Sequence, residues 1–333
     1  MGGRALGIET IRLNQKDYHE VFDSLKILIP EVELIPSYHS KPDFGDMDVL
    51  YRKGYINKDS ILSDLNEHYF LKGYVENGDV LSVGILMDVP YSKADIFQID
   101  FIGSPPEFFN FAYNYFSYND MGNLFGRVAR SIDLKFGHKG LFYVQRDGDH
   151  VLKEHLLTNM FSTALYHLGY DAERFYQGFD TLEEIFEYIM TSRFYDFNKF
   201  DLKQRNRKAR IRDEKRPNYR AFLEYATANP KVNRMLDSMG AKTYSFGAFP
   251  EFYRDYFIAY DQNELHKKFK LKYNGELIMR LTGLKGKELG EFMQWMKPKV
   301  DKDHVMNIER EELDNYILSL YEQYKTGKSD DEV

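Results

Sequence analysis

The sequence contains no cysteine, which excludes both a disulfide framework and a thiolate metal site. Disulfide-free chains are typical of reducing compartments. The N-terminus lacks the charged-then-apolar pattern of a signal peptide, and no run approaches the roughly 18 apolar residues of a membrane span. We therefore expect a soluble, cytoplasmic protein that has no membrane partner.

The chain also lacks an excess of positive charge, because its formal net charge is −7 at pH 7. This balance argues against a surface built throughout for nucleic acid. One segment differs, since residues 199–216 hold nine basic and three acidic residues. The segment is either a solvated helix or linker, or a patch that faces phosphates. Under the second interpretation, the candidate nucleic-acid-binding residues are Arg205, Arg207, Lys208, Arg210 and Arg212.

A length of 333 residues is typical of about two domains. Aromatic residues make up 16% of the chain, which fits large cores and also surfaces that stack on bases. Helix and strand patterns alternate up to about residue 152, and mostly helical patterns follow. We predict an α+β fold with a mixed sheet in a first domain at 1–152 and a helical second domain at 153–328.

Apolar spacing and turn residues place the individual elements. The predicted strands are 32–36, 47–52, 79–89 and 94–103, with hairpin turns at 77–78 and 147–148. The predicted helices are 16–29, 59–70 (capped by Asp59 or Ser60), 107–117, 121–136, a helix with a capping box from Thr181 to Glu184, 219–227, 231–239, 262–272, 275–282, 286–297 and 309–325.

Two aspartates introduce the strand predicted at 47–52, in the stretch "PDFGDMDVLY". On a strand, Asp46 and Asp48 point to the same face, about 6–7 Å apart, while Met47 and Val49 face the core. Two carboxylates so placed repel each other unless a cation lies between them. Hard cations such as Mg²⁺ prefer oxygen ligands of this kind.

A third acid stands in another apolar strand, where "FQIDFIG" places Asp100 between Ile99 and Phe101. Burying an unpaired charge there is costly, so the three acids together predict a metal site. Two ions at such a site can clamp the attacking and leaving oxygens of a phosphoryl displacement. The alternatives are an Asx turn for Asp46 and a surface-facing Asp100. Asp88 is either a fourth acid or a turn former.

These residues resemble a family. "FGDMDVLY" is similar to the metal-binding motif of nucleotidyltransferases of the DNA polymerase β superfamily, with Asp100 as the third acid. The stretch 115–142 resembles the family X polymerase pattern of Tyr-Phe-Thr-Gly-Ser, Phe-Asn, a later arginine and Gly-Leu-Phe. The resemblance covers about residues 30–190. The matching positions in 115–142 are Tyr115, Phe116, Ser117, Asn123, Arg127, Ala129, Gly140, Leu141 and Phe142.

The resemblance implies a nucleotidyltransferase fold in the first domain and catalytic and metal-binding roles for the three acids. Asp46 and Asp48 bind both ions, and Asp100 binds the ion that activates the attacking hydroxyl. The Tyr-Phe pair packs against the nucleotide sugar, and the asparagine touches the edge of the base. The nucleotide-binding residues expected on this basis are Ser37, His39, Lys41, Gly45, Tyr115, Phe116, Asn123 and Arg127.

The chain departs from the family pattern in two motifs. Pro36 replaces a glycine before Ser37, and the arginines that grip the triphosphate are absent, which leaves His39 and Lys41 as basic candidates. Tyr118 replaces the glycine of Tyr-Phe-Thr-Gly. About 30 residues precede the core, too few for the polymerases' N-terminal DNA-binding domain, so we do not expect gap-filling DNA synthesis.

Two further resemblances bear on the acceptor. The C-terminal region resembles the helical tail of bacterial CCA-adding tRNA nucleotidyltransferases. The alternative interpretation of this region is a plain helix–glycine–helix unit. The opening "MGGRAL" and the overall layout resemble nucleotidyltransferase-like proteins of bacteriophages, which implies the host cytoplasm. The C-terminal positions that match are Gly275, Leu277, Gly283, Lys285, Gly286, Gly290 and Asn307.

We expect an enzyme that transfers a nucleoside monophosphate from an NTP to an acceptor hydroxyl. The expected cofactors are two Mg²⁺ ions, which Mn²⁺ could replace, and the expected acceptor is the 3′ end of a tRNA-like RNA. Two alternatives stay open. The enzyme could nucleotidylate a protein or a small molecule, or the chain could be an inactive module that binds nucleotide or RNA.

Overall fold

The computed structural model describes residues 5–87, 95–119, 121–204, 207–231 and 240–330. The chain divides into two compact units, Met1–Phe252 and Tyr253–Val333. The fold is α+β, as predicted, with a mixed sheet in the first unit and a helical C-terminal region. In the described ranges, no helix is both long and apolar enough to cross a membrane.

Within the described residues, the strands all lie in the first unit and form three sheets. In chain order they are β1 (Leu13–Asn14), β2 (Glu33–Leu34), β3 (Asp43–Phe44), β4 (Met47–Arg52), β5 (Leu71–Asn77), β6 (Val80–Leu86), β7 (Ile96–Ser104), β8 (Leu134–Gly137), β9 (Gly140–Asp147) and β10 (His150–Thr158). The largest sheet has five strands in the order β2-β4-β7-β6-β5. Its β4 and β7 are parallel, and its other pairs are antiparallel.

The α-helices occupy both units. In chain order they are α1 (Gln15–Leu28), α2 (Lys58–His68), α3 (Phe109–Phe116), α4 (Met121–Ser131), α5 (Phe161–His167), α6 (Ala172–Tyr176), α7 (Leu182–Ile189), α8 (Arg207–Glu214), α9 (Pro217–Ala228), α10 (Ala241–Ala248), α11 (Phe252–Lys272), α12 (Gly275–Thr282), α13 (Gly286–Met296), α14 (Lys302–Asn307) and α15 (Arg310–Asp330).

The five-stranded sheet is covered on both faces, and side chains alternate between the faces along each strand. Met47 and Val49 are fully buried, as predicted, in a core with residues of α1 and α2 such as Leu25 and Leu65. On the opposite face, Leu50 packs with residues of α3. By the same alternation, Asp46, Asp48 and Asp100 share this second face with Leu50. Helix α3 covers only part of that face.

Two further cores complete the units. The rest of the first unit packs around an aromatic cluster that runs from α3 to α9 and includes β8 and β9. The second unit has a separate core in which α12, α13 and α15 contribute Ile278, Phe292 and Ile317, all fully buried. Each unit therefore has its own apolar interior.

Most predicted elements are present, and two have the predicted bounds to the residue. The strand predicted at 47–52 and the helix predicted at 275–282 are β4 and α12. Hairpins turn at Gly78 and Gly148, whose φ angles of 59° and 57° lie in the left-handed region that favours glycine. The helix predicted at 231–239 falls almost entirely outside the described residues.

The helix predicted at 121–136 is too long. Helix α4 ends at Ser131, and Asp133 adopts a left-handed φ of 54°. The chain then enters β8, which pairs antiparallel with β9. The apolar residues at 134 and 136 satisfied helical spacing, but cross-strand hydrogen bonds decide their conformation.

The predicted boundary at 152/153 lies within β10, which is paired along its length with β9. The two compact units instead divide between Phe252 and Tyr253. The helix predicted at 262–272 is the second half of α11, which begins at Phe252. The first compact unit therefore continues past the predicted boundary and includes helices α5 to α10.

The helix caps differ in detail from the predictions. Helix α2 is capped by Asn57, not by Asp59 or Ser60, and Ser60 completes a capping box with it. At α7, Thr181 Oγ1 accepts from the Glu184 backbone N–H at 3.2 Å, as predicted. The Glu184 carboxylate, however, accepts from the backbone N–H of Asp180 at 3.1 Å.

Gly122→Ala should lower the free energy of unfolding by about 1–3 kcal/mol, the cost of overpacking a tight site. A Cβ at Gly122 would lie 2.2 Å from the carbonyl oxygen of Tyr115. The matched control is Gly126→Ala in the same helix, where the nearest atom is 3.6 Å away. There alanine should be neutral or stabilising by up to about 1 kcal/mol. Urea unfolding of the two variants tests this difference, and equal stabilities would contradict it.

Candidate active site

The backbone places the three predicted acids at neighbouring positions of the five-stranded sheet. Strand register pairs Asp48 of β4 with Asp100 of the parallel strand β7. On the other side of β7, Ser82 of β6 is opposite Asp100. Asp46 directly precedes β4, and it lines the same cleft as Asp48. The prediction that the third acid lies on the neighbouring strand is confirmed.

Asp100 is the most perturbed of the three acids. It is half-buried, and Gln98 Nε2 donates to its Oδ1 at 2.8 Å. Burial raises the pKa of Asp100 to about 6; a hydrogen bond from Ser82 opposes that rise, and the negative charge of Asp46 adds to it. The surface-facing alternative for Asp100 is therefore wrong. Because burial disfavours the ionised form of this carboxyl group, a cation nearby would stabilise that ionised form.

Asp100→Asn should remove a pH dependence of stability. Because burial raises the folded pKa to about 6, Asp100 contributes stability below its unfolded pKa of about 3.9 that is lost as pH rises through 6. Relative to the variant, the wild type should lose at most about 3 kcal/mol over this window. Urea unfolding in EDTA at about pH 4 and about pH 7.5 measures the difference. A difference that does not change with pH would contradict the burial of Asp100.

A cleft of about 580 Å³ opens beside Asp46 and Asp48 within the first unit, and Asp100 is not among its described lining residues. Its walls carry both signs of charge, since Asp43, Asp46 and Asp48 face four cationic side chains. Asp43 is held by Arg12 at 2.6 Å, and that hydrogen bond lowers the pKa of Asp43. The four cations are Arg12, Lys41, Lys215 and Arg216.

Lys41 is the cation most closely tied to the acids. Burial lowers the pKa of Lys41, and the negative charges of Asp46 and Asp48 act against that lowering. Its Nζ lies 3.4 Å from Asn119 Oδ1 and 4.5 Å from the centre of the Phe44 ring. Lys41 therefore presents a partly desolvated ammonium group beside the acids.

The loop after α3 has an unusual backbone. Tyr118 and Asn119 have φ angles of 58° and 62°, and for a tyrosine this conformation costs about 1–2 kcal/mol. The Tyr118 N–H donates to Pro36 O at 2.7 Å, and Ser37 Oγ donates to Asn119 Oδ1 at 3.0 Å. The loop fixes Ser37 and Asn119 in the cleft wall.

The predicted nucleotide-binding residues separate into two clefts. Four of them line the cleft beside the acids: Ser37, Lys41, Gly45 and Phe116. Three others line a second cleft of about 210 Å³: Tyr115, Asn123 and Arg127. His39 is in neither lining set; its Nδ1 lies 2.6 Å from Asp180 Oδ1. Phe116 stacks on His138 at 5.9 Å between ring centroids.

The basic segment includes all of α8. Arg205 and the side chain of Lys208 lie outside the described residues, as does Asp88. Arg207 and Arg210 are exposed, and Arg210 pairs with Glu214 at 3.7 Å. Arg212 contacts the fully buried Asp213 at 3.2 Å and lines the second cleft.

Sequence reasoning missed several residues of the cleft wall. Arg12 and Asn119 carried no motif that marks them. Lys215 and Arg216 belonged to the basic segment but were not among the candidate binding residues. Their position within the charge run was the one available signal. They reach the cleft because the turn between α8 and α9 places them there.

The side chains of the acids are not arranged as a ready metal cage. Across the described ranges, no three or more His, Asp or Glu side chains converge in a geometry that could hold a metal ion. The backbone register nevertheless places Asp48 beside Asp100, and Asp46 lies two residues before Asp48 in the same cleft wall. Carboxylate oxygens are the donors that Mg²⁺ and Mn²⁺ prefer, so the donor set fits such ions.

The matching positions of the C-terminal resemblance lie in the second unit. Gly283 caps the end of α12 with a left-handed φ of 75°, a role that glycine fills in many helices. Gly275 begins α12, and Asn307 ends α14. The helix–glycine–helix interpretation therefore accounts for Gly283 by itself.

Comparison with known proteins adds no family to this description. No protein-family model matches the chain, and no curated protein matches its sequence.

Proposed function

We propose that the protein is a nucleotidyltransferase that moves a nucleoside monophosphate from an NTP to an acceptor hydroxyl. The observation that carries this proposal is the register of Asp48 with Asp100, with Asp46 beside them at a cleft lined by cations. A site that contained only acidic side chains would suit a cation that binds without an anionic ligand. Acids facing four basic side chains suit a cation that arrives with an anionic ligand such as a triphosphate.

Asp46, Asp48 and Asp100 would hold Mg²⁺, and Mn²⁺ has the same preference for oxygen donors. When bound, two such ions would activate the attacking hydroxyl and neutralise charge on the leaving pyrophosphate. The half-buried Asp100, whose pKa burial raises to about 6, is available to accept a proton near neutral pH. It would therefore act as the base for the acceptor hydroxyl or beside that base.

The cations of the cleft replace the absent triphosphate arginines of the similar family. Lys41 lies within reach of the charges of Asp46 and Asp48, and Lys215 and Arg216 line the same space. Ammonium and guanidinium groups placed beside phosphates stabilise the charge that builds up during transfer. Ser37 and Asn119, which are linked at 3.0 Å, supply neutral polar groups for the nucleotide.

The proposed acceptor is the 3′ end of a tRNA-like RNA. Exposed Arg207 and Arg210 on α8 provide positive charge outside the cleft in an otherwise acidic protein, and the resemblance of the C-terminal region supports the same choice. A protein or a small molecule is the alternative acceptor, and an inactive binding module is the alternative to catalysis.

The test is incubation with Mg²⁺, each radiolabelled NTP in turn and total tRNA. Because pyrophosphate leaves, the label must be on the α-phosphate, and transfer to RNA predicts that this label migrates with tRNA under denaturing conditions. Label on protein would establish nucleotidyl transfer and reject RNA as the acceptor. An absence of label with every NTP, RNA pool and protein extract tried would contradict the proposed activity.

A further inference from the structure

The second cleft has a different character from the cleft beside the acids. Among the residues that the structure describes, its walls contain five cationic side chains and no acidic residue. The five cations are Arg127, Arg130, Lys135, Arg212 and Arg216. Arg216 lines both clefts. The other four cations are not among the described residues that line the cleft beside Asp46 and Asp48.

Three separate parts of the first unit bring these charges together. Helix α4 contributes Asn123, Arg127 and Arg130, which are spaced at i, i+4 and i+7 and so share one helix face. Strand β8 contributes Lys135, and Arg212 comes from α8. Like charges gathered from distant parts of a chain repel each other, which is a cost that a bound anion would relieve.

Part of this charge already has acidic partners. Lys135 Nζ lies 2.5 Å from Glu154 Oε2, and Arg212 pairs with Asp213. Neither acid lines the cleft. The described lining of the cleft is therefore cationic, although Lys135 and Arg212 each pair with an acid outside that lining.

A neutral donor in the cleft also lacks a partner. The Nδ2 atom of Asn123 is buried and makes no hydrogen bond to any described residue. Leaving a buried donor unsatisfied is unfavourable, and an anionic oxygen would accept from it. This amide points to a ligand independently of the cluster of charges.

We propose that the second cleft binds a phosphate group. Guanidinium groups match phosphate oxygens with paired N–H donors, and the asparagine amide supplies one more. This role differs from the contact with a base edge that the family resemblance implies for Asn123. Because Arg216 lines both clefts, the phosphate belongs either to the nucleotide in the first cleft or to an acceptor beside it.

The test is calorimetric titration of inorganic pyrophosphate in EDTA, where no divalent cation can bind to the acids. Arg130→Gln/Lys135→Gln should weaken binding at least tenfold, since a hydrogen bond to a charged group is worth roughly that factor. The matched control with the same loss of charge is Lys16→Gln/Lys287→Gln, whose side chains are 81% and 91% exposed. The control should bind pyrophosphate like the wild type.

A near-isosteric second variant guards against misfolding. Asn123→Asp replaces the unpartnered donor with an acceptor and should also weaken binding at least tenfold, with an unchanged circular dichroism spectrum. Failure of the wild type to bind pyrophosphate, or equal binding by wild type and Arg130→Gln/Lys135→Gln, would overturn the proposal.

The source of the phosphate is resolved by two further titrations in EDTA, with ATP and with a short oligoribonucleotide. Weaker ATP binding by Arg130→Gln/Lys135→Gln would assign the cleft to the nucleotide. Weaker binding of the oligonucleotide alone, with a shallower salt dependence, would assign it to the acceptor. No effect on either ligand would overturn the proposal. Because these measurements involve neither turnover nor metal, they stand or fall separately from the proposed transfer reaction.

Discussion

Asp48→Asn should lower the rate of nucleotidyl transfer by about a thousandfold or more. The substitution keeps the shape of the side chain but removes the charge of a proposed metal ligand, which lies opposite Asp100 in the strand register. A metal ion supplies several kcal/mol of transition-state stabilisation, and about 4 kcal/mol corresponds to a factor of a thousand. Single-turnover rates with saturating Mg²⁺ and NTP measure the effect.

Loss of activity in this variant should occur without loss of stability. The Asp48 side chain is exposed, and its replacement removes repulsion from the neighbouring acids, so urea unfolding in EDTA should be unchanged or slightly shifted to higher urea. The matched control is Asp23→Asn on the exposed side of α1, which should transfer at the wild-type rate. A folded Asp48→Asn protein with the wild-type rate would remove Asp48 from the mechanism.

Phe125→Ala should lower the free energy of unfolding by about 3–5 kcal/mol, the usual cost of deleting a fully buried phenylalanine side chain. Phe125 lies on α4 in the aromatic core and has no exposed surface. Its ring contacts five other aromatic rings at centroid distances of 5.0–6.2 Å: Phe136, Phe161, Tyr170, Phe175 and Tyr188. The cavity left by alanine has walls supplied by several elements, which limits its collapse.

Urea unfolding followed by near-ultraviolet circular dichroism reports on this aromatic core. Phe70→Ala is the matched control, since its side chain is 80% exposed and its loss should change stability by less than about 0.5 kcal/mol. Because α4 also carries Asn123 and Arg127, Phe125→Ala should weaken pyrophosphate binding as well. Equal stabilities of Phe125→Ala and Phe70→Ala would show that the core does not depend on this ring.

The acids of the site could be predicted because their signal is local. Asp46 and Asp48 stand at the start of a strongly apolar strand, and Asp100 interrupts another. In each case a charge occurs where burial would be costly, and alternation along the strand gives its direction. The structure places Asp48 and Asp100 on adjacent strands, as these patterns indicate.

The cationic residues of the cleft wall could not be predicted, because their position depends on contacts between distant parts of the chain. Lys215 and Arg216 follow a helix some 170 residues after Asp46 in the sequence, and no local pattern reports such an encounter. The turn at Tyr118 and Asn119 requires left-handed backbone at residues that seldom adopt it. The end of α4 was misplaced because pairing with β9 overrides apolar spacing.

The most direct test of a cation site at Asp46, Asp48 and Asp100 is a titration with Mn²⁺ in the presence of a non-hydrolysable NTP analogue. Electron paramagnetic resonance measures the Mn²⁺ that binds. The wild type should bind Mn²⁺ with nucleotide present, and Asp46→Asn/Asp48→Asn should bind it at least about a hundredfold more weakly, since each lost carboxylate contact is worth a tenfold change or more. Asp23→Asn should match the wild type. Equal Mn²⁺ affinity in the double variant would contradict a two-metal nucleotidyltransferase site at these aspartates.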